Sequence, residues 1–173
     1  IIPLLHEAAD LRLSGALAAP GDTAIGQDAG VLSGIAPLAM PITDDPAVAL
    51  RGAEVAIDFT LPAASIRHAT ICIGQGCGMV IGTTGHDAAQ RAQLEAAAGA
   101  IPIVIAPNMS LGVNILASLV RKAAAALGED FDIEVLEMHH RHKIDAPSGT
   151  ALLLGQAAAS GRNLDLSKRS VRT

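Results

Sequence analysis

Short aliphatic runs alternate with Ala-rich segments of helical periodicity along most of this chain, and that alternation constrains its fold more than any other feature. Leu11 to Leu17, Glu54 to Thr60 (EVAIDFT), Met79 to Thr84 (MVIGTT), Ile101 to Ala106 (IPIVIA) and Phe131 to Met138 (FDIEVLEM) read as strands. Between them, Pro62 to Gln75 opens on a proline suited to a first helical turn. His86 to Ala98 is Ala-rich and helical. Ser110 can cap a helix that runs to Leu127, with Gly128 as its stop. A last helix spans Gly149 to about Ala159, and residues 18–46, rich in Gly, Pro, Asp and Ala, read as loop with short helical pieces. Strands and helices in this order predict βαβ units and an α/β fold around a parallel sheet. Such sheets take ligands at the carboxyl ends of their strands. Chemistry is therefore sought at Asp58-Phe59-Thr60, at Gly82-Thr83-Thr84, at Ala106-Pro107-Asn108 and in whatever follows Met138.

Composition supports this class. Half of the residues are apolar, yet only Phe59 and Phe131 are aromatic, so the core has to be built from Ala, Val, Ile and Leu. A net charge of -5 argues against a nucleic-acid partner, and the locally basic stretch Arg162 to Arg172 reads as a solvated tail. Cys72 and Cys77 read as two free thiols in a reducing cytosol. No apolar run reaches the roughly 18 residues of a membrane span. Ile1 to Leu5 lacks the basic flank and cleavage site of a signal peptide. With Ile2, Leu5 and Ala9 on one stripe, the opening reads as the middle of a helix, so sequence upstream is expected.

The most polar constellation is Glu137-Met138-His139-His140-Arg141-His142-Lys143-Ile144-Asp145-Ala146-Pro147-Ser148-Gly149-Thr150. Its second half, Ser148-Gly149-Thr150, opens a helix, with Pro147 and Asp145 shaping the turn into it. A helix start offers unpaired backbone N–H groups and partial positive charge, which makes it a seat for a carboxylate or phosphate. On spacing alone it is equally an ordinary capped helix. The first half supplies proton-transfer groups: histidine titrates near neutrality, and a lysine crowded by cations gives up its proton more readily. His139 and Lys143 could therefore reach an anion held at Ser148 to Thr150, although a solvated basic loop reads the same way. Zinc at His139, His140 and His142 is disfavoured, because in an extended segment only His140 and His142 share a face, with Glu137 on the other. Gly74-Gln75-Gly76-Cys77-Gly78 imitates a dinucleotide fingerprint but precedes a strand instead of following one.

The run EMHHRHKIDAPSGTA, Glu137 to Ala151, closely resembles the signature of the 4-hydroxy-tetrahydrodipicolinate reductase (dihydrodipicolinate reductase) family. IDFTLP at Ile57 to Pro62, GMVIGTTG at Gly78 to Gly85 and APNMSLGVN at Ala106 to Asn114 match in the same order, and GQDAG at Gly26 to Gly30 matches more weakly. The resemblance implies a Rossmann-type parallel-sheet cofactor domain over residues 1–109, and over 110–173 part of an α+β substrate and oligomerisation domain. The joint is expected near Asn108 to Gly112. It implies truncation at both ends, with the glycine-rich loop before Ile1 and the rest of the second sheet after Thr173. The implied reaction is NADH- or NADPH-dependent reduction of a cyclic dicarboxylate in lysine synthesis through diaminopimelate, by a cytoplasmic homotetramer.

By the same resemblance His139 is the catalytic acid/base and Lys143 the proton donor. His140, Ser148, Gly149 and Thr150 hold substrate carboxylate, and no metal is implied. Gly82, Thr83, Thr84, Ala106, Pro107, Asn108 and Met109 contact the cofactor. Ala18-Ala19 stands where the family often carries a charged pair that reads the adenosine ribose, so the preference between NADH and NADPH stays open. The competing expectations are a non-catalytic fragment or binding module of the same fold, a zinc hydrolase centred on the histidines, and a reductase of another dicarboxylate.

Overall fold

The computed structural model describes residues 1–171 other than 142, 144 and 145, so His142 of the zinc reading, Asp145 of the turn and Arg172 of the basic stretch lie outside the described residues. The chain forms two compact units, Ile1–Ile105 and Ala106–Thr173.

In the first unit, β1 (Val55–Asp58), β2 (Gly78–Ile81) and β3 (Ile103–Ile105) form a parallel sheet in that order. They are preceded by α1 (Ile2–Glu7), α2 (Ala29–Leu32) and α3 (Pro46–Ala49) and linked by α4 (Pro62–Gln75) and α5 (Ala88–Ala97). The local sequence explains these limits. Pro62 starts α4 where no N–H partner is needed, and Gly76, at φ 67°, ends it in the left-handed conformation that an L side chain resists. Asp87 and Gln90 close a reciprocal capping box on α5. Asp28 caps α2 and also accepts from the Leu38 and Met40 backbone N–H groups, which fastens the loop of residues 18–46.

The core lies where α4 and α5 cover one face of the sheet. Ala56, Met79 and Ile81 point from the strands toward Ala69, Cys72, Leu94 and Ala97. Val55, Ile57 and Val104 are exposed, so β1 alternates as a half-covered strand does.

The expected strand over Leu11 to Leu17 does not form. A strand exists through its ladder, and among the described residues this segment makes only a parallel bridge, Leu17 to Thr43. In the second unit, α6 (Leu111–Leu127) packs on α7 (Gly149–Gly161), and the short α8 (Leu166–Arg169) follows. Ser110 caps α6, accepting from Val113 N–H, and Gly128 ends it. A Cβ on Gly161 would drive into the Arg121 carbonyl, so glycine permits the close approach of the two helices. The expected strand over Phe131 to Met138 is also irregular. No ladder partner runs beside it among the described residues, and Phe131, Ile133 and Val135, the alternating apolar set, are all exposed. No helix among the described residues is long and apolar enough to cross a membrane.

Two outcomes follow from this core. Leu94 is 1 % exposed, and Leu94→Ala is expected to destabilise the protein by about 2–5 kcal/mol in chemical denaturation. Cys72 and Cys77 are free and fully buried, and burial, reinforced by the neighbouring Cys77, pushes the Cys72 thiol up to about 12. A colorimetric disulfide reagent should therefore leave both thiols unmodified in the native protein and titrate both after unfolding.

Candidate functional site

At the carboxyl ends of β1 and β2 the first unit holds a buried polar cluster. Asp58, the last residue of β1, is 4 % exposed. Its Oδ1 accepts from Thr60 N–H (3.2 Å), Thr60 Oγ1 (2.8 Å), Ser65 Oγ (2.9 Å) and Thr83 Oγ1 (2.7 Å). His68 Nδ1 lies 2.7 Å from Oδ2, and because a carboxylate only accepts, that nitrogen carries the proton. Burial alone would raise the Asp58 pKa, but the bonds from His68, Thr83, Thr60 and Ser65 outweigh it and hold the carboxyl well below the usual range.

The same cluster fixes the turn after β2. The Thr83 hydroxyl donates to Asp58 and accepts from Thr60 N–H at 2.8 Å, so both of its roles are filled inside the protein. The Phe59 ring, 55 % exposed, fills the space where a Cβ on Gly82 would stand. Thr84 faces solvent. Of the three residues expected here, Gly82 admits the ring, Thr83 anchors the turn and Thr84 presents a hydroxyl outward.

The second unit gathers the remaining expected residues. Ala106, Pro107, Asn108 and Met109 form the approach to α6, and Asn108 is the best tethered of them. Its Oδ1 accepts from Ser110 N–H at 2.8 Å, its carbonyl accepts from Asn114 Nδ2 at 3.2 Å, and its Nδ2 donates to Thr150 Oγ1 at 3.1 Å. An expected cofactor residue and an expected substrate residue are thus directly joined. Met109 is exposed.

The start of α7 already holds a carboxylate, that of Glu137. Ser148 N–H donates to Glu137 Oε1 at 2.7 Å, and the Ser148 hydroxyl donates to Oε2. The same hydroxyl caps the helix by accepting from Ala151 N–H at 3.1 Å. Buried Ser148 therefore spends both of its hydrogens on Glu137. His139 Nδ1 stands 3.7 Å from Glu137 Oε2. The Ser148 hydroxyl and N–H, followed by the charges of His139 and Lys143, hold the Glu137 carboxyl below its ordinary range. Lys143 N–H donates to the His140 carbonyl at 3.1 Å, which folds the basic loop back toward its own start. No group of three potential metal ligands occurs among the described residues.

The sequence pattern singles out Asp58 but not its partners Ser65 and His68, and it assigns Glu137 no role. A histidine on the buried stripe of an apolar helix was the available signal for the first. The spacing from Glu137 to the Ser148 cap, which lies across the loop, gave none for the second.

Two family models cover nearly all of this chain: dihydrodipicolinate reductase, N-terminus, over residues 1–109, and dihydrodipicolinate reductase, C-terminus, over residues 112–172. The chain belongs to the dihydrodipicolinate reductase family. Relatives named 4-hydroxy-tetrahydrodipicolinate reductase include that of Afipia carboxidovorans, 51% identical over 100% of this chain and 64% of the relative. That of Rhizobium rhizogenes is 50% identical over 99% of this chain and 63% of the relative. Among solved structures, the dipicolinate-bound dihydrodipicolinate reductase from Paenisporosarcina sp. TG-14 matches with a TM-score of 0.63 and 28% identity, over 93% of this chain and 60% of that one. The chain thus spans about three-fifths of the length of these reductases.

Asp58 makes a prediction about acid stability. A carboxyl whose folded pKa is depressed adds stability that is complete above its unfolded pKa of about 4 and is lost as pH falls below it. Asp58→Asn should therefore lower stability at pH 7 and flatten its decline between about pH 5 and pH 2. Urea midpoints measured across that range check this, and parallel curves for the two proteins would contradict it.

Proposed function

We propose that the intact protein is a 4-hydroxy-tetrahydrodipicolinate reductase, using NADH or NADPH to reduce its cyclic dicarboxylate to tetrahydrodipicolinate for lysine synthesis. The observation that carries this reading is the carboxylate at the start of α7: the Glu137 oxygens accept from the Ser148 N–H and hydroxyl, which supports reading this helix start as a carboxylate seat. A doubly anionic substrate needs such a seat with cations beside it. Gly149 and Thr150 supply N–H groups of the first helical turn, next to the Ser148 cap. The dipicolinate bound by the Paenisporosarcina enzyme is a dicarboxylate of the same kind.

Residues 1–109 serve as the cofactor domain and 110–173 as part of the substrate domain. A nicotinamide cofactor fits the residues of the first unit in chemical terms. The exposed Phe59 face offers a stacking surface, and Thr84 with the backbone of Gly82 and Thr83 offers polar contacts beside it. Ala106, Pro107, Asn108 and Met109 complete the set. When bound, the reduced nicotinamide supplies a hydride. The chain's own groups then have two tasks. His140, Gly149 and Thr150 hold the substrate carboxylates, and Ser148 joins them where a substrate carboxylate takes the place of Glu137 on its N–H and hydroxyl. Lys143 delivers the proton that accompanies the hydride, while His139, with Glu137 as its anionic neighbour, serves as acid/base as one water is lost. The reading carries with it a cytoplasmic homotetramer, and two buried reduced thiols accord with a reducing compartment.

The test is oxidation of NADH and of NADPH by the intact protein, with substrate generated in situ from pyruvate and aspartate semialdehyde by the preceding synthase. His139→Ala and Lys143→Ala should each reduce substrate-dependent turnover by roughly 100-fold or more, the scale of a lost general acid. Folded protein that oxidises neither cofactor would overturn the assignment.

A further inference from the structure

Thr83 lies in the turn assigned above to the cofactor, yet its hydroxyl is directed inward. It donates to Asp58 Oδ1 at 2.7 Å and accepts from Thr60 N–H at 2.8 Å. Asp58 is in turn gripped from α4 by Ser65 at 2.9 Å and by His68 at 2.7 Å. Three separate segments, the end of β1, the first turns of α4 and the turn after β2, therefore converge on one buried carboxylate. Opposite this anchor, the Phe59 ring closes over Gly82. The turn from Gly82 to Gly85 is held from below by Asp58 and bounded by the ring, and Thr84 is left exposed.

We propose that Asp58 is a positioning residue for the nicotinamide cofactor, acting through Thr83 to fix the backbone of the Gly82–Thr84 turn that receives it. The proposal rests on the reductase reading. Asp58 itself is 4 % exposed and has its oxygens engaged, so its influence is relayed and does not come from contact with the cofactor. Preorganised backbone raises affinity because ordering need not occur on binding.

The decisive measurement is NADPH and NADH affinity of the intact protein by isothermal titration, for Asp58→Ala, Asp58→Asn, Thr83→Val and the double variant Asp58→Ala/Thr83→Val. Asp58→Ala should weaken binding by about tenfold, on the scale of one lost buried hydrogen bond. Asp58→Asn, which keeps one acceptor oxygen, should recover most of that loss. For Asp58→Ala and Asp58→Asn, turnover at saturating cofactor should stay within roughly twofold of the unaltered protein, since uniform binding is what is lost. The double variant should bind no more weakly than Thr83→Val alone, because residues acting in series are not additive. A purely structural Asp58 would lower the melting temperature and leave cofactor affinity unchanged, or add its effect to that of Thr83→Val; either result overturns the proposal. If Asp58→Ala does not fold, His68→Leu takes its place, with an expected loss of about threefold that is again absent in the Thr83→Val background. Unaltered protein that binds neither cofactor would overturn the reductase reading and this inference together, whereas normal binding with an indifferent Asp58 overturns this inference alone.

Discussion

Removing a carboxylate from water costs several kcal/mol unless donors replace the lost hydration. At the end of β1 the first unit meets that demand with hydroxyls from Thr60, Ser65 and Thr83, the Thr60 N–H and the His68 imidazole. These donors come from three parts of the chain, so the charge can be buried only when the end of β1, α4 and the turn after β2 are all in place. An aliphatic core tolerates sliding, because Ala, Val, Ile and Leu pack in many ways. A fully satisfied ionic cluster does not, because displacing any member leaves a buried polar group unpaired. Here the apolar layer of Met79, Ile81, Cys72 and Leu94 supplies cohesion, and Asp58 supplies the reason for one particular arrangement.

The second unit treats charge differently. Glu137 is only partly buried, and its carboxylate lies where the unpaired N–H groups of α7 concentrate positive potential. It neutralises part of that potential while standing beside His139. The result is a site in which a helix start, one anion and neighbouring cations meet, although Glu137 and Ser148 stand 11 residues apart in the chain. The Asn108–Thr150 bond joins the approach to α6 to the start of α7 within the second unit.

Local chemistry was the part of this fold most legible in the sequence. Pro62 and Gly76 bracket α4 at the residues expected, and Ser110 and Gly128 do the same for α6, because caps and stops act over one helical turn. The three parallel strands were legible as short aliphatic runs between helical segments. Leu11 to Leu17 and Phe131 to Met138 carry equally good strand patterns, but strand formation is decided by a neighbour that the pattern does not contain. The Asp58 cluster was hidden for a related reason. Ser65 and His68 fall at helical spacing within α4, but Thr83 lies 25 residues from Asp58 and is brought to it only by parallel pairing. For the basic loop, the kinds of residue and the helix start were legible in advance, whereas the occupation of that start by Glu137 depended on the path of the chain between them.

The register of β1 on β2 shapes how this chain can vary over evolutionary time. Asp58 pairs with Ile81, so Phe59 and Gly82 follow at the same level, and both the Asp58–Thr83 bond and the ring over Gly82 depend on that alignment. An insertion of one residue inside either strand would rotate the following side chains to the other face and separate both pairs at once. Length within β1 and β2 is therefore held fixed by a charge buried where the two strands end.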